Sequence, residues 1–162
     1  MATTDETQPL APPKADPDWL AWYTHAKLHA RLLERIAAEM EGRTGLPAAW
    51  FEVLACLAGR GPTRMNELAA DLIVSRGGAT RIVARMEEAG LVERETPRSD
   101  RRATFALLTD AGREAIEHAL PIHLDIVREA FGRHLETGEA EALVGVAARI
   151  SAAHGWPHKT LD

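Results

Sequence analysis

The chain has 162 residues, 46% hydrophobic and 27% charged, with a formal net charge of −5. That length and balance fit one globular domain that buries a core without a metal or disulfide staple, and they exclude a polyanion binder driven by overall charge, while leaving room for a locally basic patch. A single cysteine excludes an intrachain disulfide, and the lack of an apolar run of about 18 residues or of a basic-then-apolar leader predicts a cytoplasmic protein with no membrane partner.

Residues 1–17, MATTDETQPLAPPKADP, hold four prolines and little to bury, which predicts a disordered arm. From Trp19 the residues Leu20, Tyr23, Leu28, Leu32, Ile36 and Met40 recur at helical spacing up to Gly42, predicting a long first helix. A shorter, buried second helix follows Pro47, with Trp50, Val53, Leu54 and Leu57 on one face and Gly59 and Gly61 at its end. Thr63 is read as the N-cap of a third helix whose inward positions are Met65, Leu68, Ala69 and Leu72. After the short turn IVS, Ser75 is read as the cap of a fourth helix that buries Ala79, Ile82, Val83 and Met86 and stops at Gly90. Two short amphipathic helices joined by a tight turn make a helix-turn-helix.

LVERET and ATFALLT then predict two strands joined by the charged loop PRSDRR. Thr109 is the expected cap of a fifth helix, which Pro121 should bend, and Glu136 to Ala153 is expected to form the last helix through Leu143, Val144, Ala147 and Ile150. The fold class is thus mainly α with one small β-hairpin.

Function is best sought where the arginines gather. Seven of them lie between Arg76 and Arg102, against the acids Glu87, Glu88, Glu93, Glu95 and Asp100. On the fourth helix the apolar face leaves Arg76, Gly77, Thr80, Arg81, Ala84 and Arg85 pointing outward. Gly77 and Gly78 fall in its first turn, where glycine costs roughly 1 kcal/mol relative to alanine but lets another surface approach the free backbone N–H groups. A helix N-terminus with adjacent arginines fits the major groove of double-stranded DNA, where Arg can bind guanine in bidentate fashion. The hairpin tip, with Arg98, Arg101 and Arg102, has the reach to lie along phosphates and enter a minor groove, and Asp100 would orient one of these arginines or make the turn. The bland alternative is a solvated helix face with tolerated glycines.

Across residues 19–153, and above all in MNELAADLIVSRGGATRIVARMEEAGLVERETPRSDRRATFALLTDAGR, the chain resembles the MarR family of winged helix-turn-helix regulators. The family's DxR wing and LTxxGR run are matched by Asp100, Arg102, Leu108, Thr109, Gly112 and Arg113. The resemblance implies a winged helix-turn-helix domain over 47–108 and a helical dimerisation region over 18–46 and 109–155, with residues 156–162 as a tail. It implies a homodimer on a pseudopalindromic operator, usually repressing, with base contacts from Ser75 to Arg81, phosphate contacts from Thr80, Arg81 and Arg85, and minor-groove insertion by the wing, Arg102 first. It also implies a crevice for a small aromatic acid. Trp22, His25, His29 and Trp50 are its expected lining, and Trp19 and Asp71, with Arg94 or Arg98, stand where a urate-responsive subset places its ligand residues.

Other chemistry is weakly marked. His25 and His29 are four apart and could reach one metal ion, but nothing completes a site, and a pocket or surface pair is the simpler reading. Cys56 is either a thiol redox sensor or a buried structural thiol on the apolar second helix. Trp19, Trp22 and Trp50 are alternatively plain core. No cofactor is expected. No GxSxG, HExxH or nucleotide-binding fingerprint supports an enzyme, and the remaining alternative is a winged-helix protein-interaction module without DNA binding.

Overall fold

A computed structural model of the chain describes residues 16–72, 76–97 and 103–156. Helix α1 (Pro17–Thr44) opens on Asp16, whose side chain accepts the Trp19 N–H at 2.9 Å, and has Pro17 in its first turn, where a missing N–H costs nothing. It ends at Gly45 rather than Gly42, because only Gly45 takes the left-handed conformation that closes the last turn, its N–H donating to the Glu41 carbonyl. Helix α2 (Ala48–Arg60) buries Phe51, Val53, Leu54 and Leu57.

Thr63 does not cap the third helix. It belongs to a two-residue strand, β1 (Thr63–Arg64), and its hydroxyl donates back to the Gly61 carbonyl at 3.0 Å. Helix α3 (Met65–Asp71) starts two residues later, and the first N–H, on Met65, donates to the Thr104 carbonyl instead of to a capping side chain. Helix α4 (Arg76–Glu88) buries Ala79, Val83 and Met86. Its end is closed by Gly90, at φ 75°, whose N–H donates to Glu87 while the Leu91 N–H donates to Met86, a paired closure that satisfies two terminal carbonyls.

Strands β2 (Val92–Glu95) and β3 (Phe105–Leu108) are shorter than their sequence runs and pair antiparallel, Val92 facing Leu108 and Glu95 facing Phe105. On the other side of β3, Thr63 faces Ala106, so the sheet has three strands in the order β1-β3-β2, with β2 at one edge. Helix α5 (Asp110–Ala130) is capped by Thr109 and continues on both sides of Pro121; a 3-10 turn (Gly132–His134) leads to α6 (Glu139–His154). The last helix starts at Glu139 rather than Glu136, because Gly138 sits at φ 88° and cannot belong to a right-handed helix.

One core joins these parts. Met40 of α1, the four inward residues of α2, Leu68, Val83, Met86, Val92, Ala106 and, from α5, Ile116, Ala119 and Ile126 form a single buried cluster. Two helices stand largely outside it. Met40 is the sole buried residue of α1, and α6 buries none of its residues. Leu20, Tyr23 and Leu28, expected to face inward, are exposed, as are Leu143, Val144 and Ile150. Trp22 keeps 65% of its surface.

Candidate nucleic-acid interface

Helix α4 is held by its inward residues so that the opposite face meets solvent. Gly77, Thr80, Arg81 and Arg85 are exposed there, while Ile82 and Ala84 are half-buried at its borders. A Cβ placed on Gly77 would meet no atom within 4 Å, so nothing inside the described structure requires a glycine at this position. Among the described residues neither Arg81 nor Arg85 is paired with an acid, whereas Arg35, Arg60, Arg94 and Arg128 all are. Two guanidinium charges on a helix face therefore remain available to an anion. Arg76 is the first residue of α4; Ser75, Arg98, Asp100, Arg101 and Arg102 lie outside the described residues.

The same face borders a cleft of about 380 Å³, open to solvent, between α4 and the start of α2. Pro47, Ala49, Trp50 and Ile82 give it apolar walls, and Gly78, Arg81 and Arg85 complete it. Trp50 thus lies beside the outer face of α4. The other residues expected to line a ligand crevice do not join it. Trp19 stacks on Tyr23 at 4.8 Å between ring centroids and His25 on His29 at 6.0 Å, all on α1, with Trp22 exposed beside them. Asp71, at the end of α3, is taken up by α2: its carboxylate accepts from Arg60 and, at 3.6 Å, from the Cys56 thiol. Arg94 is likewise engaged elsewhere, with Glu87.

Three local arrangements were not anticipated from the sequence. The first is the Cys56–Arg60–Asp71 group tying α2 to α3. Burial pushes the Cys56 thiol up from its ordinary pKa, with Asp71 adding to the rise and Arg60 opposing it, so the group stays protonated and donates. The second is His123 of α5, whose ring packs on Phe51 of α2 at 4.4 Å and whose Nδ1 is buried without a partner among the described residues. Burial lowers its pKa. The third joins α4 to β2: Glu87 accepts the Arg94 backbone N–H at 3.2 Å through one carboxylate oxygen and the Arg94 Nε–H at 2.8 Å through the other. The Arg94 guanidinium holds the Glu87 carboxyl below its ordinary pKa. An acid seven residues before a base, across a helix-glycine-strand turn, is the signal that would have found this pair.

Residues of the LTDAGR run lie behind the interface. Thr109 donates its hydroxyl to the Gly90 carbonyl at 2.6 Å and its N–H to the Leu91 carbonyl at 3.2 Å, and it accepts the Gly112 N–H at 3.0 Å. A Cβ on Gly112 would collide with the Leu91 carbonyl oxygen. This contact sets where α5 crosses the turn between α4 and β2. Among the described residues no group of three or more His, Cys, Asp or Glu side chains is placed to hold a metal, and no helix is long and apolar enough to cross a membrane.

Comparison with known proteins agrees with this geometry. A sequence profile described as the MarR family matches residues 44–103. An uncharacterised HTH-type transcriptional regulator of Bacillus subtilis strain 168, YkoM, is 33% identical over 81 residues, half of this chain and 53% of that protein, so the match spans about half the relative's length. Sco3205 of Streptomyces coelicolor, a MarR family transcriptional regulator solved in complex with DNA, is 31% identical, with a TM-score of 0.79 and coverage of 93% of this chain and 94% of its own. AbsC of the same organism, also a MarR family regulator, is 30% identical, with a TM-score of 0.77 over 85% of this chain and 94% of its own. The chain belongs to the MarR family of winged helix-turn-helix transcriptional regulators, which bind DNA and are not enzymes.

Proposed function

We propose that the protein is a homodimeric repressor of a pseudopalindromic operator, released by a small aromatic anion. The carrying observation is a segregation of surfaces. All the exposed large hydrophobic side chains among the described residues lie on α1, α5 and α6 or at Trp156, while α4 presents Thr80, Arg81 and Arg85 beside an open glycine. A helical region that cannot cover its own apolar faces calls for a second copy, and a cationic helix face on each copy calls for DNA. Residues 47–108 then act as the reading head, and 18–46 with 109–155 as the dimerising region.

Within that assembly Gly77 and Gly78 admit the α4 N-terminus to base edges, Thr80, Arg81 and Arg85 bind phosphates, and the loop bearing Arg98, Asp100, Arg101 and Arg102 serves the adjacent minor groove. Support for an aromatic anion comes from the cleft, where the Trp50 ring and the two guanidiniums would meet a carboxylate-bearing ring. Because it would occupy the Arg81 and Arg85 guanidiniums that bind phosphates, such a ligand and the operator weaken each other's binding reciprocally. Sequencing duplexes selected from random DNA by the purified protein tests the core of the proposal. Imperfect palindromes with half-site centres about 10–10.5 base pairs apart are expected. Recovery of single, asymmetric sites would contradict it.

A further inference from the structure

The segment from Ala89 to Leu91 is the only covalent link between the reading helix and the hairpin, and Gly90 at its middle takes the left-handed conformation, φ 75°, that reverses the chain there. On its inner side the segment is held by Thr109, through Gly90 and Leu91. On its outer side it is spanned by Glu87 and Arg94. Because β2 is an edge strand, alternate N–H groups along it have no strand partner, and the Arg94 N–H is taken by Glu87. One carboxylate thus receives a backbone N–H and two guanidinium nitrogens from a single residue. Three donors from one partner define an orientation as well as a distance.

We propose that Glu87 and Arg94 are positioning residues for operator recognition: the pair fixes the angle between α4 and the hairpin, so that both reach their grooves together. The proposal rests on the DNA-reading geometry given under Proposed function. The pair's side chains keep about a third of their surface, 35% for Glu87 and 36% for Arg94, so the pair adds little to folding. Its loss leaves the fold intact, with the hairpin still seated in the core through Val92 and Ala106, and loosens the exposed part of β2 beyond Val92.

Simple electrostatics predicts the opposite effect of removing Glu87. A carboxylate on a DNA-reading helix repels phosphate, and its neutralisation should tighten binding to DNA of every sequence. The clamp predicts weaker binding to the operator alone.

The test uses the full chain with its selected operator and a random duplex, comparing the parent with Glu87→Gln, Arg94→Gln and the double variant. For Glu87→Gln the operator affinity should fall about three- to tenfold, in the lower part of the range of couplings between residues in direct contact, as suits a partly exposed pair. Affinity for the random duplex should hold or rise. Hydroxyl-radical protection of the outer minor grooves should weaken while guanine N7 protection in the major grooves persists. The double variant should lose no more than the worse single variant, since both remove one contact. The clamp is overturned if Glu87→Gln binds the operator as tightly as the parent with minor-groove protection intact, or if the two single losses add. A melting temperature lowered by more than about 5 °C would also overturn it, because that is the size of a real stability loss in a domain of this class. If the parent itself protects no duplex, it is the DNA-reading geometry that fails, and the clamp falls with it.

Discussion

A methyl group on Gly112 would run into the Leu91 carbonyl, a backbone group with little room to yield, and would crowd the Leu108 side chain. The glycine is therefore required by a close approach, unlike Gly59 on the exposed side of α2, where a Cβ would meet nothing within 4 Å. Substituting Gly112→Ala should destabilise the fold by about 1–3 kcal/mol, the usual cost of overpacking. Gly59→Ala should instead stabilise by about 0.5 kcal/mol, since Gly59 lies in the last turn of α2 in a backbone conformation that alanine also adopts. Urea unfolding of the two variants beside the parent measures both. Equal midpoints for Gly112→Ala and the parent would remove the close approach from the account. The LTDAGR run thus owes its form to the seating of α5 against the α4–β2 turn, with Thr109 supplying the hydrogen bonds and Gly112 the space.

At the scale of elements, the seam between α2 and α5 contains His123 stacked on Phe51, with its pKa lowered by burial. In the unfolded chain the imidazole titrates at its ordinary value of 6.5, so acid protonates the unfolded state first. This group's share of stability is complete above about 6.5 and is lost as pH falls from there toward the lowered folded value. Glu52 of α2, raised by burial, acts with the opposite sign and at lower pH, the folded state gaining relative stability as its carboxyl is protonated. Between about pH 7.5 and 5.5 the unfolding free energy of the parent should fall relative to that of His123→Phe, whose profile is the flatter. Parallel profiles would show that His123 does not titrate differently in the two states.

Periodicity located α2 and α4 because each buries a continuous stripe, and the turn glycine at 90 marked the end of α4. Strand β1 was invisible because two residues carry no alternation, and Thr63 mimics a cap in any extended segment before a helix. The inward faces expected for α1 and α6 were legible as apolar, but spacing cannot say whether the surface that covers them belongs to the same chain. The expected ligand lining was the least legible part. Trp22, His25 and His29 share α1, whereas Trp50 faces α4 across a distance that no local pattern encodes. Arg81 and Arg85 were legible because both lie on the side of α4 opposite its apolar stripe.

For the whole molecule, the exposed leucines, valines and isoleucine of α1, α5 and α6 and the exposed face of α4 lie on different parts of the chain. Pairing two copies through the former would place two α4 helices about a twofold axis. The central claim is that both helices bind one face of one operator at once, which makes affinity depend on helical phase and not only on half-site sequence. The most direct measurement is equilibrium binding to the selected operator and to the same duplex with five base pairs inserted at its centre, a change that turns one half-site to the opposite face. The account predicts that the lengthened operator binds at least about a hundredfold more weakly, approaching the level of nonspecific DNA. Undiminished binding to the lengthened operator would contradict it.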